Sequence, residues 1–255
     1  MKVLLVRADD TPDADARALV ERGVEVTAEA FIRVRPSADA DATRRAAEIV
    51  DGLHAPGAWL VLTSAAGIRA LDSLLGAGEV GNRIRTAERA GARFAAVGPT
   101  SGQVLHDHGV IDVLMPTKAH TAAALLDCLG LISPGLAVMP RSTIGDQHVP
   151  EVLESRGWTV LSRIVYETTT VGHRPASADR LAAGEFDALV LRSPSAARAV
   201  VHFGAVASNT AIVAGGPTTA LAASRLGLHV TAVSADARAE SIAEAVMSTR
   251  TSVAP

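Results

Sequence analysis

Short runs of consecutive apolar residues recur along the chain and alternate with longer segments of mixed polarity. Four of these runs occupy residues 3–6, 60–62, 137–139 and 189–191. Short uninterrupted apolar runs are typical of strands that are buried on both faces of a parallel sheet. Strands of this kind, alternating with helices, indicate an α/β fold in which helices cover both faces of a doubly wound parallel sheet.

The segments between the runs carry the periodicity and the end signals of helices. Apolar residues at helical spacing include Ile68, Leu71, Leu74 and Leu75 and, in a later helix that Gly227 closes, Leu221 and Leu226. Thr11, Pro12 and Asp13 predict the start of the first helix, with a cap, a proline at the first helical position and an acidic residue in the first turn. Each unit therefore reads as a strand, a turn and a helix.

The order of these units repeats once within the chain. The matching blocks are residues 3–26 with 137–160, 60–64 with 189–193, 96–100 with 214–218, and 115–125 with 233–244. Chance explains one such match easily and several in the same order poorly, so the repeat predicts two similar domains. A length of 255 residues also favours two domains over one.

Two extended segments, residues 30–35 and 162–168, interrupt the alternation at corresponding points of the repeat. They are typical of connectors between domains. If both cross between the lobes, the first unit of the chain belongs with its last third and the domains are discontinuous. The residues alone leave that choice open.

Composition excludes several classes of protein. The net charge of −3 provides no general basic surface for nucleic acid or for an anionic membrane. Cys128 is the only cysteine, so no intramolecular disulfide can form, which suits a reducing cytosol. The longest uncharged stretch, residues 199–224, is interrupted by Gly, Pro, Asn and His and does not predict a membrane span. Hydrophobic residues make up 48% of the chain, which is enough for sizeable cores.

Common cofactor and metal signatures are missing from the sequence. It contains no G-x-G-x-x-G after a strand, no G-x-x-x-x-G-K-[ST], no G-x-S-x-G and no H-E-x-x-H. His106 and His108 lie two residues apart, which does not place them on one helical face, so a surface pair is favoured over a metal site. The sequence therefore predicts neither a cofactor nor a bound metal.

Candidate binding residues cluster at the turns that join strands to helices. They are Thr63, Ser64, Gly98, Thr100, Ser193, Gly216, Thr218 and Thr219. Ligands of open α/β sheets bind beyond the carboxyl ends of the strands, where helix N-termini present free N–H groups to anions. A single Ser or Thr at such a turn is more often a structural cap, but recurrence in both halves makes binding about as probable as capping.

Three further side chains have two interpretations each. Arg7 and Arg141 end equivalent strands of the repeat, where a guanidinium can bind a carboxylate or form a surface ion pair. Tyr166, the only tyrosine, lies in the second connector segment. From the residues alone, a buried tyrosine with a satisfied hydroxyl is the favoured interpretation.

The turns together resemble the uroporphyrinogen-III synthase family. The resemblance rests on Val61-Leu62-Thr63-Ser64, Val97-Gly98-Pro99-Thr100, Val165-Tyr166-Glu167, Leu191-Arg192-Ser193-Pro194-Ser195 and Gly216-Pro217-Thr218-Thr219-Ala220, in that order. It extends from about Val3 to Val246. The chain departs from the family pattern at Val6-Arg7-Ala8-Asp9 and at Arg192-Ser193, which weakens the transfer of roles to those positions.

This resemblance implies two flavodoxin-like lobes joined by a two-stranded connector, with residues 1–34 and 169–255 in one lobe and 35–168 in the other. It implies a cytoplasmic, monomeric lyase that cyclises hydroxymethylbilane, bound between the lobes, to uroporphyrinogen III. The reaction loses water and inverts the terminal pyrrole ring through a spiro intermediate, without a cofactor. Tyr166 is then the candidate acid, and the turns with Arg7 and Arg141 bind substrate carboxylates.

Two other functions fit parts of the sequence. A cytosolic two-lobed sensor that binds a small molecule without catalysis would share the architecture, and turnover would discriminate it from an enzyme. A phosphoacceptor receiver would use Asp9 and Asp10, but the strand ending at Ser64 lacks an acceptor aspartate and half of the chain would remain unexplained.

Overall fold

The computed structural model describes residues 1–8, 14–117, 119–145, 147–236 and 238–252. The predicted helix start at Thr11, Pro12 and Asp13 lies outside these residues, as do Asp9 and Asp10 of the receiver hypothesis. The chain divides into two compact units. Unit 1 comprises the described residues of Met1–Val34 and Thr169–Pro255, and unit 2 comprises those of Arg35–Thr168.

Unit 1 contains a parallel sheet covered by helices. Its strands are β1 (Lys2–Ala8), β2 (Glu25–Pro36), β8 (Ala188–Leu191), β9 (Ala211–Ala214) and β10 (Val230–Val233). Its helices are α1 (Ala14–Val20), α8 (Ala176–Ala182), α9 (Pro194–Phe203), α10 (Pro217–Arg225) and α11 (Ala239–Ser248), followed by a 3₁₀ helix (Thr249–Ser252). The strands pair in the order β2-β1-β8-β9-β10, and each of these pairs is parallel.

Unit 2 has the same kind of sheet. Its strands are β3 (Ala58–Leu62), β4 (Arg93–Ala96), β5 (Val113–Leu114), β6 (Leu136–Ser142) and β7 (Thr159–Thr170). Its helices are α2 (Ala42–Gly52), α3 (Ala66–Leu75), α4 (Ala77–Arg89), α5 (Pro99–Asp107), α6 (Ala122–Gly130) and α7 (His148–Ser155). The strands pair in the order β7-β6-β3-β4-β5, again parallel.

The segments read as connectors are the two longest strands of the described chain. β2 and β7 each contain 12 residues. The boundary between the units falls near the end of each strand, at Val34 in β2 and at Thr168 in β7. Both segments are therefore extended, as the sequence predicts. Each pairs in parallel with the strand that precedes it in its unit, β2 with β1 and β7 with β6.

The central strands are buried on both faces, which confirms the interpretation of the apolar runs. In β1, Leu4 and Val6 pack into one hydrophobic cluster of unit 1, whereas Val3 and Leu5 pack into another. Neighbouring side chains of a strand point to opposite faces, so each face of the sheet has its own core. In unit 2, Trp59 packs edge-on against Trp158 at 6.2 Å between ring centroids.

The helical periodicity is confirmed in α3 and is wrong in α10. Ile68 and Leu71 are fully buried. In α10, Leu221 and Leu226 are 54% and 36% exposed. Their spacing of five residues does not keep them on one helical face, and the buried residues of α10 are the small Thr219 and Ala223.

The interpretation of His106 and His108 as a surface pair is correct for His106 only. His106 is exposed, whereas the side chain of His108 is 11% exposed. His108 Nε2 lies 2.8 Å from Asp72 Oδ1, and its Nδ1 lies 2.8 Å from the carbonyl oxygen of Val104. Both partners are acceptors, so both ring nitrogens must carry hydrogen to satisfy them. The Asp72 carboxylate therefore raises the pKa of His108.

This pair makes the stability of unit 2 depend on pH. The raised folded-state pKa of His108 stabilises the fold fully below the unfolded pKa of about 6.5, and this contribution is lost as pH rises through the folded pKa. We expect urea unfolding to show that wild type loses about 0.5–1 kcal/mol between pH ~5.5 and ~8.5 relative to His108→Gln. His106→Gln is the control and should follow wild type. An equal pH dependence in His108→Gln would contradict the assignment.

Candidate functional site

The predicted site residues all lie at the carboxyl edge of a sheet. In unit 2, Thr63 and Ser64 follow β3, Gly98 and Thr100 follow β4, Arg141 ends β6, and Tyr166 lies opposite Ser142 in β7. In unit 1, Arg7 ends β1, Ser193 follows β8, and Gly216, Thr218 and Thr219 follow β9. Parallel strands end at one edge, so each unit collects its own set there.

In unit 2, the fold brings two of these side chains to Tyr166. The side chain of Ser64 and the charge of Arg141 both act on the Tyr166 phenol and favour its ionised form. Ser64 Oγ also accepts a hydrogen bond of 3.2 Å from Ala66 N at the start of α3. Ser64 therefore caps the helix and contacts the phenol, so the capping and site interpretations both apply to it.

Burial determines the protonation of Tyr166. The side chain is 6% exposed, and this burial raises the pKa of the phenol above its usual value of 10, against the opposing effects of Ser64 and Arg141. The phenol consequently keeps its proton across the physiological range. A neutral hydroxyl beside a guanidinium can donate a hydrogen bond or a proton to a departing oxygen.

Arg141 is held in place from β6. It is 8% exposed, and its Nη1 donates to Gln147 Oε1 at 2.7 Å. Next to it, Ser142 Oγ lies 3.1 Å from Thr168 Oγ1, and Thr143 N donates to the Tyr166 carbonyl oxygen at 3.0 Å. These two contacts join the ends of β6 and β7 at Tyr166 and at Thr168.

Close packing against His120 distinguishes the Gly98 turn from a simple helix cap. Gly98 precedes α5 in an extended conformation, with φ of −176°, that any residue can adopt. A Cβ at Gly98 would nevertheless lie 2.9 Å from the Cβ of His120, so space requires glycine here. Thr100 is exposed, whereas its neighbour Ser101 is 4% exposed. Thr63 is half-buried at the end of β3.

In unit 1, the candidate residues differ in their burial and in their hydrogen bonds. Ser193 Oγ accepts a hydrogen bond of 3.2 Å from Ala196 N and lies 2.9 Å from Ser195 Oγ, so Ser193 is a helix cap. Thr219 is 4% exposed, whereas Thr218 and the half-buried Gly216 reach the surface of the turn. Arg7 is half-buried at the end of β1.

Two features of the site were not anticipated from the sequence. Arg192, which replaces the first residue of the second Thr-Ser turn, pairs through Nη1 with Asp15 Oδ1 at 3.0 Å. His120 packs on the Gly98 turn. A lone histidine before a helix carries no motif, so no sequence signal identifies it. Within the described ranges, no three His, Cys, Asp or Glu side chains are grouped to hold a metal, and no helix is long and apolar enough to cross a membrane.

Comparison with known protein families identifies the family to which the chain belongs. The family model described as uroporphyrinogen-III synthase HemD matches residues 13–244, which is most of the chain. The chain belongs to the uroporphyrinogen-III synthase family. The predicted resemblance is thereby confirmed, and membership indicates an enzyme of heme biosynthesis acting on a small tetrapyrrole rather than a sensor without catalysis.

Solved structures of uroporphyrinogen-III synthases share this fold at low sequence identity. A mutant enzyme from the extremely thermophilic bacterium Thermus thermophilus has a TM-score of 0.64 at 16% identity, covering 98% of this chain and 99% of the other. The enzyme from Helicobacter pylori has a TM-score of 0.61 at 15% identity, covering 97% and 99%. No curated protein has a significant sequence match to the chain. These likenesses support the mixed α/β fold with a mostly parallel sheet.

Proposed function

We propose that the protein is a lyase that converts hydroxymethylbilane into uroporphyrinogen III with loss of water and inversion of the terminal pyrrole ring. The observation that carries the proposal is the family match over residues 13–244, joined to the Tyr166, Ser64 and Arg141 cluster at the carboxyl edge of unit 2. The chemistry requires no cofactor from the protein. We further propose that the enzyme acts as a monomer in the cytoplasm.

We also propose that units 1 and 2 are discontinuous domains of the flavodoxin type, residues 1–34 with 169–255 and residues 35–168. The strand order supports this. In unit 1 it is β2-β1-β8-β9-β10, which is the 2-1-3-4-5 order of flavodoxin-like sheets. In unit 2, β6, β7, β3, β4 and β5 occupy the equivalent places, as the internal repeat predicts.

Tyr166 supplies the proton in the proposed mechanism. The C–O bond to the terminal hydroxyl breaks with both electrons moving to oxygen, and the phenol proton converts the departing hydroxide into water. The pyrrole nitrogen stabilises the carbocation that remains. The substituted carbon of the terminal pyrrole attacks this cation to form a spiro intermediate, and the bond from that carbon to the neighbouring methylene bridge then breaks. The unsubstituted carbon of the inverted ring attacks the bridge cation released in this way, and the proton that this carbon loses on rearomatisation restores the phenol. Because this leaving group departs readily, the contribution of the acid is smaller than the 10²–10⁴-fold typical of general acids.

Folding the substrate into the attacking geometry is the larger task of the protein. Holding two reacting carbons in position can contribute about 7–11 kcal/mol of barrier reduction. The substrate carries acetate and propionate groups, and we propose that Arg7, Arg141 and the turns at Thr63, Thr100 and Thr218 bind them. Helix N-termini and guanidinium groups suit carboxylates, and the exposed Thr100 and Thr218 leave the first turns of α5 and α10 accessible.

Product analysis tests the proposal directly. Purified protein mixed with enzymatically generated hydroxymethylbilane is expected to give the type III isomer well above the spontaneous type I background, with no added metal or nucleotide. The isomers are resolved after oxidation to the porphyrins. Formation of type I alone at high protein concentration would refute the proposed activity, whereas tight binding without turnover would restore the sensor hypothesis.

A further inference from the structure

His120 is packed directly onto the backbone of the Gly98 turn. It lies in the loop between β5 and α6, immediately before Thr121, whose Oγ1 caps α6 through Ala124 N at 3.2 Å. A Cβ placed on Gly98 would lie 2.9 Å from His120 Cβ, 3.1 Å from its Cγ and 3.5 Å from its Nδ1. The nearest atom is Cβ rather than the far end of a flexible side chain, so rotation of the imidazole cannot relieve the contact.

Among the residues that the structure describes, the equivalent turn in unit 1 has no such side chain. A Cβ placed on Gly216 would meet none of their atoms within 4 Å. Gly98 and Gly216 occupy matching places in the internal repeat, before α5 and α10. The imidazole is therefore a feature of unit 2 alone, and the repeat does not account for it. Its position places a polar ring at the edge where Thr100 is exposed.

The hydrogen-bonding state of the ring indicates which atom is available. His120 Nδ1 is buried and has no hydrogen-bond partner within the described part of the chain. In a neutral imidazole one nitrogen donates and the other accepts. Because no described protein group engages Nδ1, a ligand at the other ring nitrogen can select the tautomer that binds it. The residue as a whole is half-buried, so its accessible surface lies away from Nδ1, and Nε2 is the remaining polar atom of the ring.

We propose that His120 is a substrate-binding residue, whose Nε2–H donates a hydrogen bond to a carboxylate held at the Gly98–Thr100 turn. The proposal rests on the proposed synthase activity and adds a specific contact to it. A ring N–H is a hydrogen-bond donor that suits a carboxylate oxygen. Because it binds substrate rather than the reacting atoms, its loss should raise KM and leave kcat nearly unchanged.

The test compares three variants in the isomer-resolved assay. His120→Phe keeps a flat ring against Gly98 but removes the N–H, and we expect KM for hydroxymethylbilane to rise about five- to twentyfold, as for loss of one hydrogen bond to a charged group. His120→Gln retains a donor and should recover much of that loss. His54→Phe, an exposed histidine in the turn before β3, is the matched control and should behave as wild type.

A second measurement uses a ligand that does not react. Calorimetric titration with uroporphyrin III, the oxidised product, should show weaker binding to His120→Phe by a similar factor, and thermal melting should confirm that each variant is folded. Unchanged KM and unchanged uroporphyrin binding in His120→Phe would overturn the proposal, as would a fall in kcat alone. Absence of type III product from wild type would instead refute the proposed activity, so the two failures are distinguishable. If His120→Phe does not fold, His120→Gln is compared with His120→Met, which is similar in size but has no N–H donor, and equal KM values in these two variants would overturn the proposal.

Discussion

Replacing Tyr166 with phenylalanine is expected to lower kcat for the type III isomer by about tenfold to a hundredfold while KM changes little. The substitution removes the hydroxyl and keeps the buried ring, which is 6% exposed. The expected loss lies below the upper range for general acids because water can protonate a leaving group that already departs readily. Steady-state kinetics with isomer-resolved detection measures both constants.

A control on the same strand separates chemistry from structure. Thr168→Val removes a hydroxyl two residues along β7 that is bonded to Ser142 at 3.1 Å, so it should lower the melting temperature slightly and leave kcat unchanged. A KM increase alone in Tyr166→Phe would make Tyr166 a carboxylate ligand, and unchanged kinetics would make its hydroxyl structural.

Coupling between Tyr166 and Ser64 provides a sharper version of this test. If the side chain of Ser64 prepares the phenol for proton transfer, Ser64→Ala should lower kcat less than Tyr166→Phe does. The double variant should then be no slower than Tyr166→Phe alone, because the contact is already lost. Additive losses would mean that Ser64 acts independently, through its cap on α3.

The sequence predicts the elements of the fold well because its strands are buried on both faces. The buried centre of a strand such as β1 cannot tolerate a charge on either face, so Leu4 and Val3 appear as part of one apolar run. The prediction fails in α10, where small residues face the sheet and two leucines face outward. The small size of these residues, rather than their hydrophobicity, allows α10 to pack closely there. The spacing of apolar residues in a sequence does not indicate side-chain size.

The contacts of the site are harder to predict because the sheet order differs from the chain order. Ser64 follows β3 and Tyr166 lies in β7, and β6 is inserted between these strands. Ser64 therefore acts on a phenol that is 102 positions away in the chain, and neither local motif predicts this proximity. The turns themselves were identifiable, since Pro99, Pro194 and Pro217 each occupy the first turn of a helix.

Burial and hydrogen bonding distinguish the candidate hydroxyl groups at the turns from one another. Ser193 is committed to the backbone of α9 through Ala196 N. Thr219 is 4% exposed, whereas its neighbour Thr218 is exposed. The same contrast recurs at Ser101 and Thr100 in unit 2. In both turns the buried hydroxyl belongs to the packing of the helix, and the exposed one is free to meet a ligand without loss of stability.

The exposure of Thr100 leads to a second prediction with a large expected effect on catalysis. We expect Thr100→Glu to lower kcat/KM for hydroxymethylbilane about tenfold to a hundredfold relative to Thr100→Gln, because a new carboxylate would repel a substrate carboxylate at the start of α5. At about 5–10 Å and an effective dielectric constant near 20, two like charges repel by about 1.5–3 kcal/mol, which corresponds to this range. Glutamine has the same size as glutamate, so the ratio of the two variants isolates charge.

Salt and stability complete the test of Thr100. Raising the ionic strength should narrow the gap between the Glu and Gln variants, because screening weakens repulsion between exposed charges. Both variants should melt close to wild type since Thr100 is exposed, whereas Ser101→Gln, at the buried neighbour, should lower the melting temperature. A Glu variant as active as its Gln counterpart would show that no carboxylate binds at this turn. Equal loss in both variants, with normal melting, would indicate a steric requirement at Thr100 instead of electrostatic recognition.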